Sequence, residues 1–377
     1  MVYSSEEMKG ETETDRFFMK RAILLASRAR GKTSPNPMVG AVLVKKNKVI
    51  AEDYHRMAGT PHAEALVIRK AGRNARSSTL YVSLEPCCHT DKRTPPCARA
   101  IIESGIKTVV IAMHDPNPKV SGKGIRELEQ AGVAVKSGIL EEKAQRLNES
   151  YVKFVTTKRP FVTLKVAMTL DGKIATPEGQ SKWITGEKAR AMVHRLRSSV
   201  DAILTAIGTV RSDDPLLTAR IKGAGSPHRI IIDPDLEIPA GAKILTPPPE
   251  TTIVMRSPTD YHRHSDLEKK KMALAKKGIT FIEYEGEMLD LAWLMDRLGE
   301  MGISSLIVEG GSSLNARALQ DGIVDKVLFF IAPKIIGGKE SFPAVGGRTF
   351  RRLEDAISLR DVRVKKLGAD ILVEGYL

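Results

Sequence analysis

Hydrophobic and polar positions along this chain follow two periods, one helical and one strand-like, which replace each other repeatedly. Phe18, Ala22, Leu25 and Ala29 share one face of a helix expected over 15–30, capped by Thr14 or Asp15 and stopped by Gly31. Ser34-Pro35-Asn36-Pro37 reads as a rigid turn. Val39 to Val44 is a buried-strand run, Lys45-Lys46-Asn47 turns the chain, and Lys48 to Tyr54 returns as its hairpin partner. A helix follows over 62–71, with Leu66 and Ile68 as apolar anchors, then a strand over 79–84 and a helix from Cys97 to Glu103. A strand over 107–113, a helix near 124–130 and a short strand over 133–135 complete an alternating α/β layer.

Glu141 to Thr157 reads as one helix, and Lys158-Arg159-Pro160 breaks it. We therefore expect two domains, 15–158 and 159–377. In the second, strands are expected at 161–168, 202–207, 228–232, 251–255, 279–284 and 304–308. Helices are expected at 186–199, 267–277 and 289–301, with Met192, Val193, Leu196 and Val200 as the inner face of the first. Ser212-Asp213-Asp214-Pro215 reads as a turn and Pro247-Pro248-Pro249 as an internal loop. Glu309-Gly310-Gly311-Ser312 opens a helix through Leu319, and closing strands follow at 326–334 and 370–376.

Length and composition sharpen this picture. A chain of 377 residues exceeds one typical core. With 42% hydrophobic and 28% charged residues it has the make-up of a globular protein rather than a disordered one. No apolar run is long enough to span a membrane, and Met1 to Thr14 is polar and acidic, without the apolar core of a signal peptide. We expect a cytoplasmic protein with no membrane partner. The net charge of +14 falls mostly before Lys158. That excess suits nucleic acid, a phosphorylated substrate, or solubility alone. Nucleic-acid binders interleave aromatics with basic residues; with 5% aromatics and no dominant Lys/Arg block, nucleic acid is not the favoured partner.

The candidate chemistry is concentrated between Pro61 and Cys97, which holds all three cysteines, Cys87, Cys88 and Cys97. A histidine and two thiolates fill three positions of a catalytic zinc site and leave the fourth for water, whose pKa the metal lowers to about 7. His62-Ala63-Glu64 followed by Pro86-Cys87 has the pattern of zinc-dependent base deaminases, in which the glutamate shuttles a proton and is not a ligand. The commonest spacing puts the second cysteine three positions after the first. Here nine residues separate Cys87 from Cys97, and neighbouring Cys87 and Cys88 cannot both ligate without strain. We take His62, Cys87 and Cys97 as ligands and Glu64 as the catalytic acid–base. The metal-bearing segments begin helices, whose N–H groups favour thiolate. Two other readings stay open: a Cys88–Cys97 disulfide, and a closed structural zinc site with His89 as fourth ligand.

These motifs resemble the cytidine deaminase-like superfamily. Ser34-Pro35-Asn36-Pro37-x-Val39-Gly40 and Thr94-Pro95-Pro96-Cys97 narrow the resemblance to the pyrimidine deaminase of riboflavin biosynthesis. It implies a three-layer α/β/α domain acting on a diaminopyrimidinone that carries ribosylamine 5-phosphate. It also implies that Asn36, His55, His89 and Lys92 line the substrate pocket. The segment Asp91-Lys92-Arg93 is one residue longer than the usual Gly-Lys or Gly-Arg pair, so either Lys92 or Arg93 faces the phosphate. Glu52-Asp53-Tyr54 lacks the glycine common before that histidine.

The second half is similar to the dihydrofolate reductase-like α/β domain of the same pathway. The motifs are Lys165 to Lys173, Trp183-Ile184-Thr185, Thr209 to Pro215 and Glu309 to Leu314. Gly310-Gly311 between a strand and a helix lets phosphate approach exposed N–H groups, although this is not the Rossmann glycine fingerprint. The resemblance implies NADPH-dependent reduction of the ribosyl group to ribityl. It places Ala167, Trp183, Thr209, Asp213, Gly311, Ser312, Ser313, Leu314, Asn315, Ala316 and Arg317 on the cofactor. It places Ser181, Arg197, Leu217, Arg220 and Glu309 on the substrate, where guanidinium forks suit phosphate. Lys165 is a candidate proton donor. The reading that results is a bifunctional small-molecule enzyme using Zn²⁺ and NADPH, expected as a homo-oligomer, dimer or tetramer. The alternative is a nucleic-acid (tRNA-type) base deaminase with an appended reductase-like module.

Overall fold

The protein is described as a computed structural model covering residues 12–88, 96–248, 250–257, 261–347 and 352–377. It divides into two compact units, Met1–Lys158 and Arg159–Leu377.

In the first unit, β1 (Gly40–Lys45) and β2 (Lys48–Tyr54) form the hairpin. Lys46 and Asn47 both take positive φ, 50° and 57°, as a two-residue turn that follows the twist of its strands requires. β3 (Thr79–Val82), β4 (Thr108–Ile111) and β5 (Ala134–Lys136) complete a sheet of order β2-β1-β3-β4-β5. β1 is antiparallel to β2 and β3; β3, β4 and β5 are parallel. Helix α1 (Glu13–Ser27) starts two residues earlier than expected. Thr12, not Thr14 or Asp15, is its cap, and its hydroxyl accepts from the Asp15 N–H at 3.0 Å. The helix buries Phe18, Met19, Ala22, Leu25 and Ala26. A Cβ on Gly40 would lie 2.0 Å from the Ala22 carbonyl oxygen, so only glycine lets β1 approach α1 this closely.

α2 (Ala63–Ala71), α3 (Cys97–Glu103) and α4 (Lys123–Gln130) follow. The single helix expected over 141–157 is two, α5 (Glu141–Leu147) and α6 (Glu149–Thr157). Asn148 separates them. Buried, it gives its amide to the Met38 backbone: Oδ1 accepts from Met38 N at 2.8 Å and Nδ2 donates to Met38 O at 3.0 Å. That clamp holds the end of the Asn36 turn.

The second unit contains β6 (Phe161–Thr169), β7 (Lys173–Ala175), β8 (Ala202–Ala206), β9 (His228–Ile232), β10 (Thr251–Arg256), β11 (Thr280–Tyr284) and β12 (Ser305–Val308). β13 (Lys326–Ala332), β14 (Phe342–Pro343), β15 (Arg360–Leu367) and β16 (Asp370–Tyr376) follow. The main sheet runs β11-β10-β9-β8-β12-β6-β13-β16-β15, parallel from β11 through β13 and antiparallel at β16 and β15. Its helices are α7 (Glu187–Arg197), α8 (Ile207–Asp213), α9 (Tyr261–Ala275), α10 (Leu291–Glu300) and α11 (Ser312–Gln320). The strand expected to reach Ile207 stops at Ala206, because α8 begins at once and takes up Ser212 and Asp213 of the expected turn. β15 escapes sequence reading for a physical reason: apart from Leu367 its residues are exposed, so no apolar alternation marks it.

Candidate active sites

His62 caps α2 with extended backbone, φ −70° and ψ 161°, which places it just outside the helix. Its Nδ1 lies 3.2 Å from the Cys97 sulfur and 3.6 Å from the Cys87 sulfur. Cys87 comes from the segment after β3 and Cys97 opens α3; the Ala98 N–H bonds the Cys87 carbonyl at 3.1 Å and ties the two together. The ligating atoms of His62, Cys87 and Cys97 all lie within 4.8 Å of one another. One imidazole and two thiols at this separation fit a zinc ion with an open fourth position. All three cysteines are free, so the Cys88–Cys97 disulfide does not form. His89 and Lys92 lie outside the described residues.

The hydrogen bond between the two sulfurs draws the Cys87 thiol far below its usual range, and the same bond, with burial, holds the Cys97 thiol well above it. Glu64, in the first turn of α2, is buried, and among the described residues its Oε2 has no hydrogen-bond partner. Burial pushes its carboxyl up, against the pull of His62. A buried carboxyl with an oxygen to spare beside a candidate metal cage is placed for proton transfer.

His55 is buried edge-on to His62, with ring centroids 5.3 Å apart, and its Nδ1 lies 3.2 Å from the Pro61 carbonyl oxygen. Asn36 is exposed on its turn, where its N–H bonds the Thr33 carbonyl at 2.7 Å. Sequence reasoning missed Glu85 and Asn148. The Leu-Glu-Pro-Cys run hinted at Glu85 only by its nearness to a ligand; no local pattern marked Asn148.

In the second unit, β6, β8 and β12 run parallel, so the segments following them meet at one sheet edge, where α/β folds place ligands. Glu309, directly after β12, is buried between two cations. Arg197 Nε and Nη2 donate to its Oε1 and Oε2 at 2.7 and 2.9 Å, and Lys165 Nζ donates to Oε2 at 3.1 Å. Burial alone would raise this carboxyl; the Arg197 guanidinium and Lys165 ammonium outweigh it and hold the group far below the carboxylate range. Arg197 was expected to present its fork to phosphate. The structure gives that fork to Glu309 and the remaining Nη1 to the Thr218 carbonyl at 3.3 Å.

The remaining residues expected on the cofactor or the substrate are placed differently. Ser181 donates to Asp213 Oδ1 at 2.6 Å, Trp183 is 62% exposed under the Arg190 guanidinium at 4.7 Å, and the nearest atom to a Cβ on Gly311 would be Thr209 Oγ1, at 3.8 Å. Ser313 is exposed and Ala167 partly buried on β6. Others face into the fold. Leu314 belongs to the core; buried Asn315 donates to the Ala344 carbonyl at 2.8 Å; Arg317 bonds Asp321 and the Leu289 carbonyl. Ser312 and Ala316 lie against Gly346 and Gly347: a Cβ on Gly346 would meet the Ser312 Oγ at 2.2 Å, and one on Gly347 the Ala316 Cβ at 3.2 Å. Leu217, buried, and Arg220, exposed, both take left-handed backbone, φ 50° and 53°.

Two family models match the chain: the cytidine and deoxycytidylate deaminase zinc-binding region over residues 12–113, and the RibD C-terminal domain over residues 160–373. The riboflavin biosynthesis protein RibD of Aquifex aeolicus is 43% identical over 96% of this chain and 98% of its own length. The chain belongs to the RibD family. The RibD protein of Actinobacillus pleuropneumoniae is 42% identical over 97% of this chain and 96% of its own. The solved Acinetobacter baumannii RibD superposes with a TM-score of 0.87 at 36% identity, covering 97% of this chain and 99% of that one. A Thermotoga maritima structure, a diaminohydroxyphosphoribosylaminopyrimidine deaminase/5-amino-6-(5-phosphoribosylamino)uracil reductase, gives 0.84 at 37% identity, covering 96% of this chain and 98% of that one. As a RibD-family member the chain is a bifunctional enzyme of riboflavin biosynthesis, a zinc-dependent deaminase and an NADPH-dependent reductase. Its fold class is the deaminase-like α/β domain joined to a reductase-like α/β domain. The nucleic-acid deaminase alternative falls with that result. No helix among the described residues is long and apolar enough to cross a membrane.

Proposed function

We propose that residues 15–158 hydrolyse the exocyclic amine of 2,5-diamino-6-ribosylamino-4(3H)-pyrimidinone 5′-phosphate and that residues 159–377 reduce the sugar of the product. The observation that carries the first half is the convergence of His62, Cys87 and Cys97 beside the spare oxygen of buried Glu64. His62, Cys87 and Cys97 hold the zinc. Zinc, when bound, supplies a Lewis acid that acidifies a water molecule at neutral pH. Glu64 takes the proton at Oε2 as water attacks the ring carbon, then returns it to the amine, which leaves as ammonia. His55, edge-on to His62, and Asn36 orient the pyrimidine; His89 lines the pocket, and Lys92 or Arg93 binds the phosphate.

In the reductase half, bound NADPH would supply the hydride that reduces the sugar C1′ of an open-chain imine or its equivalent. Ala167, Trp183, Thr209, Asp213, Gly311, Ser312 and Ser313 would hold the cofactor. Leu314, Asn315, Ala316 and Arg317 shape that site from within α11. Ser181, Leu217, Arg220 and Glu309 hold the substrate. Lys165, bonded to Glu309, is the proton donor. Arg197 contributes by fixing Glu309, since its fork is engaged there. The enzyme works in the cytoplasm as a homo-oligomer, dimer or tetramer.

Metal analysis joined to a coupled assay tests this reading. We expect one zinc per chain, ammonia release from the diaminopyrimidinone phosphate, and reduction that follows NADPH. Turnover on single-stranded or transfer RNA, with none on the pyrimidine phosphate, would overturn it.

A further inference from the structure

Two residues before Cys87, the buried Glu85 carboxylate accepts four backbone N–H bonds from one distant segment. Oε2 accepts from Asp115 at 3.2 Å and Gly122 at 3.0 Å; Oε1 accepts from Gly124 at 3.1 Å and Ile125 at 3.3 Å. The donors run from the loop after β4 into the first turn of α4. The His114 ring nitrogen Nδ1 lies 3.8 Å from Oε2. The approach is close on both sides. A Cβ on Gly124 would sit 2.1 Å from the Pro86 carbonyl oxygen, so the segment touches the loop that carries Cys87. Within that segment, Val120 is buried in one apolar cluster with Cys87 and Cys97.

We infer that Glu85 is a positioning residue for the metal site: its carboxylate holds residues 115–125 against the Pro86-Cys87 loop, so that Val120 covers both sulfurs. The inference rests on the reading of His62, Cys87 and Cys97 as zinc ligands. An ionised carboxylate is acceptor-only and has room for four N–H groups; a glutamine would turn an NH₂ toward two of the four donors. An apolar cover over thiolates slows the entry of water and chelators and fixes the direction in which the sulfurs point.

The test uses the full-length, zinc-loaded enzyme and its Glu85→Gln and Val120→Ala variants. Zinc transfer to a chromophoric chelator is timed well below the unfolding transition, beside deaminase kcat and KM and the reductase rate. Glu85→Gln is expected to release zinc on the order of tenfold faster. Its deaminase kcat should fall while KM stays within about twofold, and the reductase rate should not change. Val120→Ala keeps the carboxylate clamp and should speed release by a smaller factor. A purely structural Glu85 would lower the unfolding midpoint yet leave release from folded protein unaltered. Release at the wild-type rate from Glu85→Gln refutes the inference. A wild-type protein that binds no zinc refutes the ligand reading beneath it, and the inference with it. If Glu85→Gln does not fold in its first unit, Val120→Ala decides: faster release supports the cover, and an unchanged rate overturns it.

Discussion

Arg197 and Glu309 form a two-pronged pair, Nε to Oε1 at 2.7 Å and Nη2 to Oε2 at 2.9 Å, with Glu309 buried and the Arg197 side chain 12% exposed. Lys165 adds a third bond to the same carboxylate at 3.1 Å. Removing the anion leaves two largely enclosed cations without their shared counter-charge. Glu309→Gln should therefore destabilise the second unit by about 3–5 kcal/mol at pH 7 and abolish reduction while deamination continues. The pH dependence has a definite sign. The folded carboxyl lies far below its ordinary 4.5, so its contribution is full above that value and is lost only as pH falls through the lower, folded one. Urea unfolding of both proteins across pH should show a gap that is constant above about pH 5 and closes only in strong acid.

Glu64 has a different part. Glu64→Gln preserves size and leaves His62, Cys87 and Cys97 untouched. It should retain one zinc per chain and lose at least about a hundredfold in deamination, the low end of what a positioned acid–base contributes. NADPH-dependent reduction should be unchanged. Equal loss of both activities would contradict two independent sites.

Gly40 tests the packing behind the deaminase site. Its missing Cβ would fall 2.0 Å from the Ala22 carbonyl oxygen and 2.7 Å from the Ala26 nitrogen, both backbone atoms that cannot rotate away. Gly40→Ala should cost the first unit about 1–3 kcal/mol or more, as overpacking does. Calorimetry should show that transition moving down while reductase activity survives.

Trp183 is the opposite case, a large aromatic left 62% exposed beneath Arg190. If it flanks the cofactor, Trp183→Ala should weaken NADPH binding about tenfold, which is about 1.4 kcal/mol. Stability should move by no more than about 0.5 kcal/mol, as for other surface changes. Fluorescence titration with NADPH reads the first quantity and thermal unfolding the second. Unaltered NADPH affinity would remove Trp183 from the site.

Most strands and helices could be read from spacing, because burying one face imposes a period on the residues that form it. The β1–β2 hairpin, α2 with its histidine at the start, and α11 after the glycine pair all carry that signature locally. The His-x-Glu and Pro-Cys motifs could likewise be read, since they need only a few residues in a row. What spacing cannot carry is partnership between distant positions. Whether Arg197 meets a phosphate or Glu309, 112 residues away, depends on which strand lies beside which, and that order exists only in the assembled sheet. The same holds for Glu85 and its four N–H donors, and for Asn148, whose clamp on Met38 splits one predicted helix in two. β15 stayed hidden because an exposed edge strand buries nothing and so leaves no period to find. Local chemistry marked the candidate ligands; which distant buried polar groups pair with one another was decided only by the tertiary fold.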